Sequence, residues 1–229
     1  MLTLHFAPDN ASLVLRLALE EARLPYRAVP VDRATRAQKS PAYLALNPVG
    51  LIPTLETPDG PIAETGACLL WLCDTYPGAR LGPAVGEARR GAFLRWLFYL
   101  SNTVHSDLIR VFHPERYGPE ETFGLHHRIM AGHVSEQLAI LDAAARAEPA
   151  LFAPPSALAL YLGPLLRWAA LYPVAADRWL RLGDYRTLQA LCRSLEERES
   201  TKAAILAEAL GDRPFTAPRL PGPLAGSAT

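Results

Sequence analysis

The stretch Asn47-Pro48-Val49-Gly50-Leu51-Ile52-Pro53-Thr54-Leu55, followed nine residues later by Glu64-Thr65, carries the groups needed to hold a small peptide. Pro53 has no N–H, so it belongs at a sheet edge or a special bend rather than inside a ladder. Such a bend suits a cis peptide, because the cis form before proline costs only about 0.5–1 kcal/mol. It leaves the N–H and C=O of Ile52 free to pair with a ligand's backbone, as an added strand does. Thr65 stands just ahead of the apolar run Cys68-Leu69-Leu70-Trp71-Leu72 and is expected to cap that helix. The N–H groups and dipole at a helix start favour a carboxylate. Glu64 beside it offers a charge for an ammonium. Together the pair suits the amino-acid-like end of a peptide.

These groups need a frame. Residues 2–6 read as a strand, and Pro8-Asp9-Asn10 as a turn that caps a helix from about Ser12 to Arg23. Pro25 ends that helix, and Tyr26 to Val31 reads as a second strand, parallel to the first and joined to it by a right-handed crossover. A short helical turn is expected around Tyr43-Leu44. Two further strands, Ile52–Glu56 and Ile62–Ala63, flank the turn signal Pro58-Asp59-Gly60. The helix after Thr65 closes at Tyr76-Pro77-Gly78. From Pro83 onward the pattern is helical: Glu87 to Val111, Glu120 to Ala147 and Ser156 to Leu171. Shorter pieces follow at Arg178–Leu182, Tyr185–Glu197 and Thr201–Leu210. The expected fold is α/β plus all-α, a thioredoxin-like domain (βαβ then ββα) followed by an all-helical bundle. The expected divisions are 1–77, a linker at 78–86, the bundle at 87–210, and a loose Pro/Gly-rich tail at 211–229, aperiodic from Thr216.

Composition bounds the setting. The 229 residues are half hydrophobic, with zero formal net charge and a pI near 7.0, which gives no reason to expect nucleic acid or an anionic membrane surface as partner. No apolar run is long enough for a membrane span, and the first residues lack the basic region of a signal peptide. Cys68, Cys73 and Cys192 are an odd number without metal spacing, which fits buried thiols in a reducing cytoplasm. His126, His127 and His133 read as a solvated helix face, and no metal site is expected.

The Asn-Pro-x-Gly-x-x-Pro-x-Leu string, the Asp-Gly turn, the Glu64-Thr65 pair and a helix ending in Tyr-Pro occur in one order at one spacing. In this the chain resembles the cytosolic glutathione transferase superfamily over essentially residues 1–210. It looks most like the bacterial beta class, whose reactive loop lies at Phe6 to Leu13 and whose first bundle helix resembles Val104-His105 with Phe112-His113-Pro114. The resemblance implies a homodimer that binds glutathione as co-substrate, with Ile52 and Pro53 pairing its backbone. It places the γ-glutamyl end on Glu64 and Thr65, a carboxylate contact on Arg36, and His105 at the active site. As residues alone, Arg36 reads equally as a surface charge and His105 as a satisfied core group.

The departures from the class bear on chemistry. Ala11 stands where the beta class has its cysteine, Phe6 where it has a tyrosine, and Ser106 where a lysine commonly follows the histidine. Cysteine-dependent mixed-disulfide chemistry at position 11 is thereby excluded. The capping box at Ser156-Ala157-Leu158-Ala159 lacks its acid, a loss of about 0.5–2 kcal/mol. With a free thiol near pKa 8.5, lowering it by about two units takes roughly 2.7 kcal/mol of thiolate stabilisation. One hydrogen bond to a charged group gives about 1.5–3 kcal/mol, and the helix start adds a few tenths to one more. Ser12, which matches a serine of the beta-class loop, is the first candidate for that bond. Asn10 follows closely, since some disulfide reductases of the superfamily use an Asn in that loop. Two function classes stand: an enzyme delivering the glutathione thiolate to a small hydrophobic electrophile or a disulfide, and a non-catalytic binding protein of the same fold. Retention of Glu64 and Thr65 favours the enzyme, on the ground that a buried unpaired Glu is costly.

Overall fold

The computed structural model describes residues 1–173 and 178–221. Its N-terminal part is a four-stranded sheet of order β2-β1-β3-β4, built from β1 (Leu2–Phe6), β2 (Tyr26–Pro30), β3 (Thr54–Thr57) and β4 (Gly60–Ala63). β1 pairs parallel with β2, Leu4 opposite Ala28, and antiparallel with β3, Leu4 opposite Leu55. Thr3 and His5, on the other face of β1 from Leu2 and Leu4, are buried too. Both faces are therefore covered, as parallel pairing with a crossover requires. The turn between β3 and β4 is tied by Thr57, whose Oγ1 donates to the Gly60 carbonyl at 2.8 Å and accepts from the Asp59 N–H at 3.1 Å. This is the βαβ–ββα order expected of a thioredoxin-like domain.

α1 (Ser12–Glu21) is buried over every residue from Ser12 to Leu19. A helix apolar all round belongs inside the molecule. It lies between α3 (Thr65–Thr75) on one side and the bundle helices α8 (Ala157–Leu171) and α10 (Glu199–Glu208) on the other. The short α2 (Pro41–Leu46) starts at Ser40, whose Oγ accepts from the Tyr43 N–H.

The rest of the chain is helical, with no strand among the described residues. α4 (Arg90–Phe98) runs into a π-helical turn, Tyr99–His105, and on into α5 (Ser106–Phe112). α6 (Phe123–Ala147), α7 (Pro149–Phe152) and α9 (Arg186–Glu196) complete the bundle around α8. All residues from Ala157 to Ala169 of α8 are buried, which makes it the central helix. Ser156 still caps it without the acidic partner. Its Oγ accepts from the Leu158 N–H at 3.2 Å and donates to the Leu151 carbonyl at 2.7 Å. No helix among the described residues is long and apolar enough to cross a membrane.

Several expectations shift. β3 begins at Thr54, two residues later than expected; Pro53, which has no N–H to give to a ladder, and the cis Ile52–Pro53 peptide lie before it. The helix expected at Arg178–Leu182 is absent, and only a 3-10 turn, Leu182–Asp184, precedes α9. The segment after α3 is tied to the bundle, since Leu81 is buried and its carbonyl accepts the Ala157 N–H at 2.6 Å. The C-terminal stretch is not loose as far as it is described. Phe215 is core, and Glu196 accepts from the Phe215 and Thr216 N–H groups at 2.8 and 2.7 Å. Residues 222–229 of the expected tail lie outside the described residues.

Candidate functional site

A cleft of about 1060 Å³ opens between the sheet and the bundle. Asn10, Ile52, Pro53, Glu64, Thr65 and His105 all line it. They come from the loop before α1, the bend before β3, the start of α3 and the π-helical turn.

The bend at Ile52 is held from its flanks. The Leu51 carbonyl accepts from both Tyr43 Oη and Asn47 Nδ2 at 2.8 Å, and Tyr43 Oη also bonds Thr54 Oγ1 at 2.9 Å. Gly50 adopts φ +64°, and a Cβ there would come within 2.7 Å of the Gln38 carbonyl, so only glycine fits. Ile52 itself makes no hydrogen bond among the described residues. Its N–H and C=O present a free edge to the cleft.

At α3 the roles of the acidic-hydroxyl pair differ from expectation. Glu64, not Thr65, occupies the cap position, with φ +68° and its carbonyl accepting the Cys68 N–H at 2.9 Å. That left-handed backbone in a non-glycine residue costs of order 1–3 kcal/mol. Thr65 is the first helical residue. The Glu64 carboxylate is exposed and without an ion-pair partner among the described residues. The burial argument for its retention therefore fails. Thr65 is buried and its side chain faces the Tyr161 hydroxyl.

From Thr65 a polar chain continues into the bundle. Tyr161 Oη lies 2.9 Å from His105 Nδ1, and the His105 ring packs edge-on to Tyr161 and at 5.5 Å from Trp168. Burial pushes the His105 pKa down to about 4, so the ring is neutral at physiological pH. Burial likewise pushes the Tyr161 phenol up. His105 thus acts here as a neutral hydrogen-bonding group.

The loop before α1 separates its two candidates. Ser12 is fully buried and does not line the cleft. Its Oγ accepts from the Ala7 N–H at 3.3 Å and donates to the Ala7 carbonyl at 3.1 Å. Its hydroxyl is committed to closing the loop. Asn10 lines the cleft at the start of α1, and its amide makes no hydrogen bond among the described residues. Arg36 also falls outside the cleft: it is exposed, while Arg33 and Lys39 of the same segment line it. Cys68 and Cys73 are buried, with thiols pushed up to about 12 by desolvation, and Cys192 is buried and shifted the same way. None is a nucleophile in this state. No cluster of metal-ligating side chains occurs among the described residues.

Sequence reasoning missed Tyr161, Trp168 and the support beneath Asn10. Asp9 accepts from Arg167 Nε at 2.7 Å and Nη2 at 3.0 Å, and from Trp168 Nε1 at 2.8 Å. A signal existed: Arg167 is a charge inside an otherwise apolar helix, and such a residue is fully buried only when paired.

Comparison with known proteins agrees with this geometry. Residues 11–75 match the family "Glutathione S-transferase, N-terminal domain". Glutathione S-transferase GstA of Escherichia coli O157:H7 is 27% identical over 210 residues, covering 90% of this chain and 98% of that protein. A glutathione transferase homologue from Sulfitobacter, solved with bound glutathione, superposes with a TM-score of 0.76 at 27% identity, covering 90% of this chain and 98% of that one. The bacterial beta-class glutathione S-transferase of Sphingomonas chungbukensis gives 0.73 at 29% identity, with the same coverage. Fold, motif order and full-length similarity coincide: residues 11–75 carry the glutathione S-transferase N-terminal domain, and over 90% of its length the chain is similar to cytosolic glutathione S-transferases, most of all to the bacterial beta class.

Proposed function

We propose that the protein is a glutathione transferase that binds reduced glutathione in the cleft and delivers its thiolate to a small hydrophobic electrophile. The observation that carries this reading is the convergence of Asn10, the free Ile52 edge and the Glu64-Thr65 pair on one cavity. In this reading Ile52 pairs with the cysteinyl backbone of glutathione beside Pro53. The γ-glutamyl ammonium lies against the Glu64 carboxylate, and its carboxylate against Thr65 and the first N–H groups of α3. Asn10 donates its amide N–H to the sulfur, aided by the start of α1. His105, neutral and bonded to Tyr161, sets the bundle wall of the cleft. Leu97, Phe98, Ile109 and Phe112 supply the apolar surface for the electrophile. We further propose a cytoplasmic homodimer, as the resemblance to the class implies.

Calorimetric titration with reduced glutathione tests the reading, with Glu64→Gln and Thr65→Ala alongside. The expected result is micromolar to low-millimolar binding, weakened by both substitutions. Absence of binding at any accessible concentration would reject the reading in favour of a non-catalytic protein of this fold. One alternative activity has a specific support: with Ser12 committed to Ala7, the loop presents Asn10, the residue type used by some disulfide reductases of the superfamily. Turnover of a small disulfide with no turnover of chlorodinitrobenzene would favour that alternative.

A further inference from the structure

The cleft holds positive charge that the glutathione-binding residues do not use. Arg33, from the segment after β2, lines it from the sheet side. Its Nη1 is enclosed and has no hydrogen-bond partner among the described residues. A buried guanidinium nitrogen without a partner is costly unless a ligand completes it. Arg116 lines the same cleft from the bundle side, beyond α5, next to His113. The neighbouring carboxylates leave Arg33 Nη1 without a partner, and Arg116 has only a long, exposed ion-pair contact with Glu115. Asp32 accepts the Ala34 and Thr35 N–H groups at 2.9 and 3.4 Å. Glu115 bonds His113 Nδ1 at 2.9 Å and stays 3.9 Å from Arg116 Nε. Burial first, and then the Arg116 charge, lower the Arg33 pKa, with Tyr172 acting the other way, as expected of two cations that face one cleft.

We propose that Arg33 and Arg116 form an anion subsite, and that the second substrate reaching the thiol carries a carboxylate or a group of like charge and size. This rests on the glutathione-transferase reading and specifies its substrate class. The planar guanidinium of Arg33 suits a carboxylate, with a second contact from Arg116 across the cleft. Its position after β2, on the segment that continues to Lys39 and Gln38, leaves one competing source for the anion: the glycyl carboxylate of glutathione itself.

The test is calorimetric binding of glutathione and two preformed conjugates, the dinitrophenyl thioether and its ring-carboxylated counterpart. Wild type is compared with Arg33→Gln and with Arg116→Gln, the latter a change at a more exposed position. The expected result is that wild type binds the carboxylated conjugate about tenfold tighter than the neutral one. Each substitution should remove that preference while leaving glutathione affinity within about twofold. Equal affinity of wild type for the two conjugates would overturn the proposal. So would a loss that falls equally on glutathione and both conjugates, because that pattern assigns the arginines to the glycyl carboxylate. If glutathione itself does not bind, the functional reading fails and the subsite proposal fails with it.

Discussion

Asn10 and Ser12 stand two positions apart, yet the loop gives them opposite tasks. Asn10 faces the cleft with its amide free, whereas Ser12 is spent on both polar groups of Ala7. Asn10→Ala is expected to lower kcat/KM for conjugation roughly 10- to 100-fold, the rate equivalent of one hydrogen bond to a developing charge. Ser12→Ala is expected to cost about 1–3 kcal/mol of stability instead, by leaving the Ala7 N–H buried and unpaired. Urea unfolding alongside steady-state kinetics separates the two, and a large kinetic loss in a fully stable Ser12→Ala protein would sink the assignment. His105 gives a second prediction, in pH. Its pKa is about 4 in the folded protein, against an ordinary value of 6.5. Below about 6.5 the unfolded chain takes up a proton that the folded chain refuses. Stability therefore falls from about pH 6.5 to about pH 4, by on the order of 3 kcal/mol, and is unaffected above that window. His105→Gln keeps a hydrogen-bonding partner for Tyr161 and should remove this component of the acid slope. Parallel pH profiles for the two proteins would exclude it. Local geometry set by immediate neighbours, such as the cis bend at Ile52–Pro53, was legible in the sequence. Tyr161 was not, because it meets His105 across 56 positions of chain.

At the level of elements, the strands and long helices followed from periodicity, since each buries a face that its pattern marks. The local irregularities did not. The π-helical turn at Tyr99–His105 leaves the apolar spacing of α4 and α5 nearly intact, so no pattern announced it. It brings Ser101 against α3: a Cβ on Gly66 would lie 3.2 Å from the Ser101 side chain. The start of α3 was misplaced by one residue because Glu64 takes a left-handed backbone that capping preferences do not anticipate. α3 also carries two of the three cysteines, and its packing decides their reactivity. With Cys68 and Cys73 pushed up to about 12, and Cys192 on α9 shifted the same way, no thiol should react with Ellman's reagent in the native state. All three should titrate in denaturant. Rapid labelling of any cysteine in the folded protein would contradict the burial of these helices, and would reopen a cysteine-based mechanism.

Across the whole molecule, buried and half-buried ion pairs join the thioredoxin-like part to the bundle. Asp9 meets Arg167 of α8, Arg16 of α1 meets Glu208 of α10 at 2.6 Å, and Glu21 meets Arg198 and Ser200. The Asp9 N–H also donates to Glu208 at 2.8 Å, so the residue before Asn10 is gripped by two bundle helices. Arg167 further donates to the carbonyls of Leu210, Pro214 and Arg219, which brings the C-terminal stretch into the same network. The lone charge of Arg167 in apolar α8 signalled that a partner must exist, but not which, because every partner is more than 40 positions from Arg167. Such coupling predicts one cooperative unfolding transition rather than two. Removing one partner of the fully buried Asp9–Arg167 pair strands a charge, so Arg167→Met is expected to cost about 3–5 kcal/mol. Asn tolerates the left-handed φ of +50° that Asp9 adopts. The double substitution Asp9→Asn with Arg167→Met leaves no unpaired charge, and should therefore be more stable than Arg167→Met alone. Urea denaturation of the double variant and of both single variants measures this directly. If the double variant is as unstable as the sum of its parts, the pair is not coupled, and the positioning of Asn10 must come from the Ser12–Ala7 clamp alone.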